Sequence, residues 1–202
     1  MLFRSPTAGV TGNHRLAGGQ LRTLRRTPLR RSAVTGAVRQ SMVSIHLAER
    51  KRIRLPRSYH NVILKKILEE FCPRFARGSV VVYIGDAEKK VGQFDADYLR
   101  RLGVIVEEHG KMPDVVVHFS DKNWLVLIEA VTSHGPVNPK RLTELKALFA
   151  GSKAGLVFVT AFLNRRGLHK YLGDVAWETE VWVADAPDHM IHFNGERFLG
   201  PY

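Results

Sequence analysis

Apolar positions along the chain follow two spacings, and where each one holds predicts the elements. From Ser58 to Phe71, Val62, Ile63, Ile67 and Leu68 recur at helical spacing behind Ser58, a residue suited to cap the first free amides. Val80–Ile84 is a short, β-branched run that ends at Gly85-Asp86, which predicts a strand. Asp95–Leu102 predicts a short helix stopped by Gly103. Three strand candidates follow in quick succession: Val104–Glu108, Asp114–Phe119 and Trp124–Val131, the last two joined by a tight turn at Ser120–Asn123. Pro139–Ala150 is an amphipathic helix with Leu142, Leu145, Leu148 and Phe149 on its apolar side. Gly155–Phe162 predicts another buried strand. Thr179–Ala184 and Met190–Phe193 predict further β structure, with Asn194-Gly195 as a turn.

From Asp95 onward the order is therefore helix, three strands, helix, strand. Central strands that are apolar on both alternating sides need cover on both faces. The fold class is accordingly mixed α/β, a central mixed β-sheet flanked by helices. Structure is expected to begin near Ser58, with residues 58–202 as the domain and residues 42–57 as a linker. Residues 1–41 show no sustained apolar period and read as a disordered tail. Their composition also resembles a transit peptide, or an upstream extension with Met42 as the natural start.

Charge sharpens the picture. The chain carries 31 basic and 19 acidic residues, net +12, and eight arginines with no acid lie within residues 1–41. The remainder is only mildly basic. Such a balance favours polyanions, of which the phosphate backbone of nucleic acid is the usual one. Cys72 is the single cysteine, so a disulfide framework is excluded and it reads as a small buried side chain. The apolar runs are too short to cross a bilayer and no secretory signal is present, which leaves the cytoplasm as the expected compartment. Gly151-Ser152-Lys153 lacks the glycine and length of a phosphate loop. Trp177 and Trp182 read as core residues rather than base-stacking platforms.

Two carboxylates stand out by position. Asp114 opens one strand and Glu129 closes the next, and an antiparallel turn between them sets the start of one strand beside the end of the other. A carboxylate in an apolar run costs several kcal/mol, roughly, unless it is paired or coordinated, and two like charges side by side are worse. A divalent cation resolves both problems, and Mg²⁺ prefers such oxygens while keeping waters and accepting substrate phosphate. A salt bridge from Glu129 to Lys140 or Arg141 is the alternative, and spacing leaves both open.

Pro113-Asp114 followed by Glu129 resembles the PD-(D/E)XK nuclease pattern, whose core is also helix, three strands, helix, strand. Longer words resemble the catalytic domain of the BsuBI/PstI restriction endonucleases: Tyr83-Ile84-Gly85-Asp86, the run His109–Val116, the run Ile128–Val137, Pro139-Lys140-Arg141, the runs Phe158–Phe162, Trp177–Trp182 and His189–Gly195, and Phe198–Pro201. The resemblance spans about residues 80–202. It implies a restriction-endonuclease-like core and Mg²⁺-dependent hydrolysis of double-stranded DNA at a palindrome, CTGCAG, cut to leave 3′ overhangs. It maps Asp114 and Glu129 onto the metal-binding acids. Val131 stands where the superfamily has lysine, so that cation is sought on the following helix: Lys140 first, then Arg141 and Lys111. His134, directly after the catalytic strand, could touch substrate or serve a loop. Asp86 could join the site or cap a turn. Asn164-Arg165-Arg166 with Lys170 are contributors to DNA contact or solvated surface. A palindromic target implies a homodimer, and an adenine methyltransferase is the implied genetic partner. Two other readings remain: a decayed enzyme that binds without cutting, and a nucleic-acid-binding adaptor that works through its basic tail.

Overall fold

Alternation of side chains across one sheet organises the molecule. The structure, a computed structural model, describes residues 42–46, 52–85, 93–106, 111–132 and 134–193. All lie in one compact unit, Arg39–Tyr202. Seven strands run in the order β4-β3-β5-β6-β7-β8-β9. They are β3 (Val80–Ile84), β4 (Gln93–Phe94), β5 (Val115–Phe119), β6 (Trp124–Ala130), β7 (Gly155–Phe162), β8 (Thr179–Val183) and β9 (Met190–Phe193). β3, β4 and β5 are antiparallel to their neighbours, as is β5 to β6, whereas β6, β7 and β8 run parallel. The mixed sheet expected from the sequence is present.

Each central strand sends alternate residues into two cores. Val115 and Val117 of β5, with Val126 and Ile128 of β6, join one core. Val116, Leu125 and Leu127 face the other. The first core is covered by a helix that runs from Tyr59 to Phe75, made of α1 (Tyr59–Lys66), a π-helical stretch (Ile67–Phe71) and α2 (Cys72–Phe75). Ser58 caps it as expected, its side chain accepting from the Asn61 amide at 3.0 Å. The wider turn lies immediately ahead of Pro73, which has no amide to give an ordinary helical bond. Cys72 is buried, and burial pushes its thiol up to about 12, so it behaves as packing. The second face carries α3 (Ala96–Arg101) and α4 (Pro139–Leu148), through Leu99, Leu145 and Phe149. α5 (Arg165–Tyr171) covers a satellite cluster of Phe162, Val175, Val181 and Val183 on that same face.

Three expectations are corrected. Residues 42–57 are not a linker: β1 (Met42–His46) and β2 (Arg52–Pro56) pair antiparallel, with Val43 opposite Leu55 and Ile45 opposite Ile53. Val43, Ile45 and Leu55 are buried in the first core, so the strand pair is part of the domain. Ile45→Ala should therefore destabilise the fold by about 2–5 kcal/mol in chemical denaturation, whereas a tolerated substitution would make the pair an ornament.

Residues Val104–Val106 form no strand. Gly103 turns left-handed at φ 86, its amide donates to Arg100, and the Val104 amide donates to Leu99, closing α3 with Val104 packed in the same core as Leu99. The strand beside β5 is instead β3, earlier in the chain. Trp182 is fully buried, but Trp177 is 71% exposed, at the turn into β8. Asp86, the remaining residues of Val104–Glu108, Asn194-Gly195 and residues 1–41 lie outside the described residues. No described helix is long and apolar enough to cross a membrane.

Candidate active site

The β5–β6 ladder pairs Val115 with Ile128 at its open end. One further step along the same antiparallel register sets Asp114 opposite Glu129, and both side chains fall on the α4 face. Sequence alternation alone anticipated this pairing. The 3₁₀ turn Ser120–Lys122, followed by left-handed Asn123 at φ 50, makes the connection tight enough to hold it.

The pair is fixed from several directions. Asp114 Oδ2 accepts from the Ala130 amide at 2.7 Å, and the Asp114 carbonyl accepts from the Gly85 amide at 2.8 Å. Arg141 of α4 donates through Nε to Glu129 Oε1 at 2.8 Å, and its Nη2 lies 2.7 Å from the same oxygen. Nη2 also donates to the carbonyls of Lys111 and Met112 at 3.0 and 3.1 Å, which ties down the segment leading into Asp114. His60 Nε2, reaching from α1 on the opposite face, lies 3.5 Å from Asp114 Oδ1.

Electrostatics follow from this crowding. Burial raises the pKa of Asp114 above the ordinary carboxylate range, against hydrogen bonds from Ala130 and Glu129 and the pull of Arg141. Burial raises Glu129 as well, helped by the charge on Asp114 and opposed by Arg141. The Tyr83 phenol on β3 is raised by burial and by both acids, so it stays protonated beside them.

A cleft of about 490 Å³ opens over the pair. Lys111, His134, Lys140 and Arg141 line it together with Asp114, Glu129 and His60, so the two acids and these four candidates border one space, while Asp86 lies outside the described residues. Their placement differs. Arg141 is largely buried against Glu129, whereas Lys140 is 86% exposed and reaches Glu144 at 3.9 Å. Lys111 and His134 are exposed on the rim. Val131 is on the Glu129 face, buried among Phe162, Val181 and Val183, where a lysine would have to displace apolar packing.

His60 and Tyr83 were not assigned a part by the sequence reading. His60 is separated from Asp114 by more than fifty residues, and only tertiary packing brings it there. Tyr83 had a signal in its place at the end of a buried strand next to Gly85.

The donor set fits a hard divalent cation. The Glu129–Arg141 salt bridge that the sequence left open is formed, yet burial still raises both carboxylates as they converge on an open cleft, and Mg²⁺ commonly needs only one or two protein carboxylates beside water and phosphate. No group of three or more His, Cys, Asp or Glu side chains that could hold a metal ion occurs among the described residues, so a cation at the Asp114–Glu129 pair would draw the rest of its shell from water and phosphate.

The mixed sheet and its flanking helices have a restriction-endonuclease fold, shown by their similarity to a solved structure of SdaI restriction endonuclease. The match has a TM-score of 0.76 and 48% identity, and covers 82% of this chain and 52% of the other. Residues 43–196 match the model of the BsuBI/PstI restriction endonuclease domain, and the chain belongs to that family. It is 55% identical over 163 residues to the type II restriction enzyme BsuBI of Bacillus subtilis, covering 81% of this chain and 52% of that enzyme. Identity to the type II restriction enzyme AplI of Arthrospira platensis is 30% over 170 residues, with the same coverage. The chain thus spans about half the length of the curated relatives it matches.

Proposed function

We propose that this chain carries the phosphodiester-cleaving centre of a type II restriction endonuclease that acts on duplex DNA with Mg²⁺. The observation that carries the reading is the half-buried Asp114–Glu129 pair, facing across one ladder step into an open cleft. Asp114 and Glu129 would hold the cation, which when bound supplies charge neutralisation at the scissile phosphate and a more acidic water. Arg141 keeps Glu129 oriented and partly neutralised, and its bonds to the Lys111 and Met112 carbonyls set the approach of Asp114. It takes the part sought at first in Lys140, which stands on the rim with Lys111 and His134, placed for DNA rather than for the acids. His60 steadies the second oxygen of Asp114 from the opposite face.

The palindrome CTGCAG, implied by the family resemblance, is the first substrate to offer. A two-fold dimer would match its symmetry, and an adenine methyltransferase would protect the host's copies. Incubation with duplex DNA should give cleavage in Mg²⁺, none in chelator, and binding without cutting in Ca²⁺. Undiminished cutting in chelator would remove the carboxylate–magnesium mechanism. DNA held but uncut in Mg²⁺ would leave the non-cleaving alternative in its place.

A further inference from the structure

Among the described residues, α5 presents a row of cations with no carboxylate partner. Arg165, Arg166, His169 and Lys170 occupy one exposed arc of the helix, while Leu168 and Tyr171 pack beneath it on the satellite core. In α1 and α4 the cations are balanced by carboxylates nearby. Lys65 and Lys66 in α1 reach Glu69 and Glu70, Lys140 and Arg141 in α4 reach Glu144, and Lys146 reaches Glu178. Among the described residues no carboxylate lies within 4.0 Å of the Arg165, Arg166 or Lys170 charges. Lys170 instead donates to the Tyr171 hydroxyl at 3.0 Å, and Asp185 accepts from the Arg165 backbone amide. Like charges at Arg166 and Lys170, one helical turn apart, weaken a helix. Its own stability does not explain the pattern.

Position does. β6 and β7 are parallel, with Glu129 beside Thr160 and Ala130 beside Ala161. Phe162 lies two residues past Thr160 on the same face, and α5 sits on it: the Phe162 and Tyr171 rings stack at 6.5 Å, and a Cβ added at Gly167 would lie 3.5 Å from the Phe162 ring. The cationic arc therefore stands at the sheet end that holds the carboxylate pair, on the same face, one strand over.

We infer that α5 is a phosphate rail for the duplex: Arg165, Arg166 and Lys170 contact the backbone of DNA whose scissile bond lies over Asp114 and Glu129. The inference rests on the nuclease reading above and adds the surface along which the substrate runs. Such contacts position without reading sequence, so their signature is salt dependence.

Binding of a CTGCAG duplex in Ca²⁺ by fluorescence anisotropy, across 50 to 200 mM salt, tests it on the full chain. R165Q/R166Q/K170Q is compared with R101Q/K122Q/K153Q, which removes the same charge near the opposite end of the sheet, where the β5–β6 turn and the start of β7 meet. Each lost phosphate contact lowers the slope of log affinity against log salt by about 0.9. The α5 variant should lose about 2–3 from that slope while the other keeps the wild-type value, and both should melt as the wild type does. Equal losses in the two variants would show a general charge effect and overturn the rail. If the wild type binds and cuts but the α5 variant keeps its slope, the rail falls and the nuclease reading stands. If the wild type binds no duplex, both fall.

Discussion

Asp114→Asn and Glu129→Gln should each cleave duplex DNA on the order of 10³-fold more slowly than the wild-type chain, while Asp114→Asn melts at a higher temperature. Both substitutions keep side-chain size and remove the charge that would hold the cation. Losing several kcal/mol of charge stabilisation at the phosphate translates to tenfold per 1.36 kcal/mol, hence the magnitude. The stability effect has the opposite sign because both acids are raised above their ordinary values, chiefly by burial. A carboxyl whose folded pKa is raised favours the fold while it is protonated. That contribution is complete below the unfolded value and is lost as pH rises through the folded one. The wild type should thus lose stability from the pair as pH climbs above about 4.5, and Asp114→Asn should lose less, because only Glu129, still raised by burial, remains to ionise, so the gap in melting temperature widens between pH 5 and pH 8. Glu129→Gln should gain less, because Arg141 loses a charged acceptor at 2.8 Å. Metal-free melts at the two pH values, with cleavage kinetics in Mg²⁺, check both halves. Wild-type cutting by Asp114→Asn would place the active site elsewhere.

Much of this site was legible because antiparallel register is a local property. Two apolar runs with a tight turn between them leave little choice about which residues face each other, and alternation then assigns Asp114 and Glu129 to one face. Sheet burial was legible for the same reason, since apolar residues at both parities of β5 and β6 require two cores. The strand pair β1–β2 carried a signal too, with Val43, Ile45, Ile53 and Leu55 alternating. Two five-residue segments beside an arginine-rich stretch are too short for alternation to stand out from chance. At Val104 the apolar, β-branched run was genuine, but a left-handed Gly103 recruited it to close a helix, and local capping overrode strand propensity. Trp177 shows that size does not compel burial: it stands 71% exposed at a turn with Glu178 at φ 62, its ring 6.0 Å from that of Phe193.

Choosing between Lys140 and Arg141 required the phase of α4. Adjacent helical residues point about 100° apart, so nearness in sequence does not say which one meets the sheet. The Asn138 cap and Pro139 at the helix start set that phase. Arg141 then lies one turn before Leu145, which is fully buried, while Lys140 lies one turn before half-exposed Glu144. The apolar positions of α4 already contained this answer, because the residue four before a core leucine shares its face.

Arg141→Ala should consequently destabilise the protein by about 3 kcal/mol near neutral pH and reduce cleavage strongly, whereas Lys140→Ala should stay within about 0.5 kcal/mol of wild type. Removing one partner of a buried ion pair leaves the other charge uncompensated, and here it also releases the Lys111 and Met112 carbonyls that fix the strand leading into Asp114. Protonation of Glu129 limits the loss, which keeps it at the low end of the usual range for buried pairs. Without the guanidinium, the folded pKa of Glu129 moves further above its unfolded value. The Arg141→Ala deficit should therefore be small near pH 5 and grow as pH rises toward 8. Mg²⁺ would supply the missing positive charge, so adding it should recover more stability in Arg141→Ala than in wild type, and more at pH 8 than at pH 6. Denaturant titrations at the two pH values, with and without Mg²⁺, read the stability terms, and single-turnover cleavage reads the chemistry. A Lys140→Ala protein that loses more cleavage than Arg141→Ala would return the third catalytic position to the rim lysine and leave Arg141 as a structural clamp.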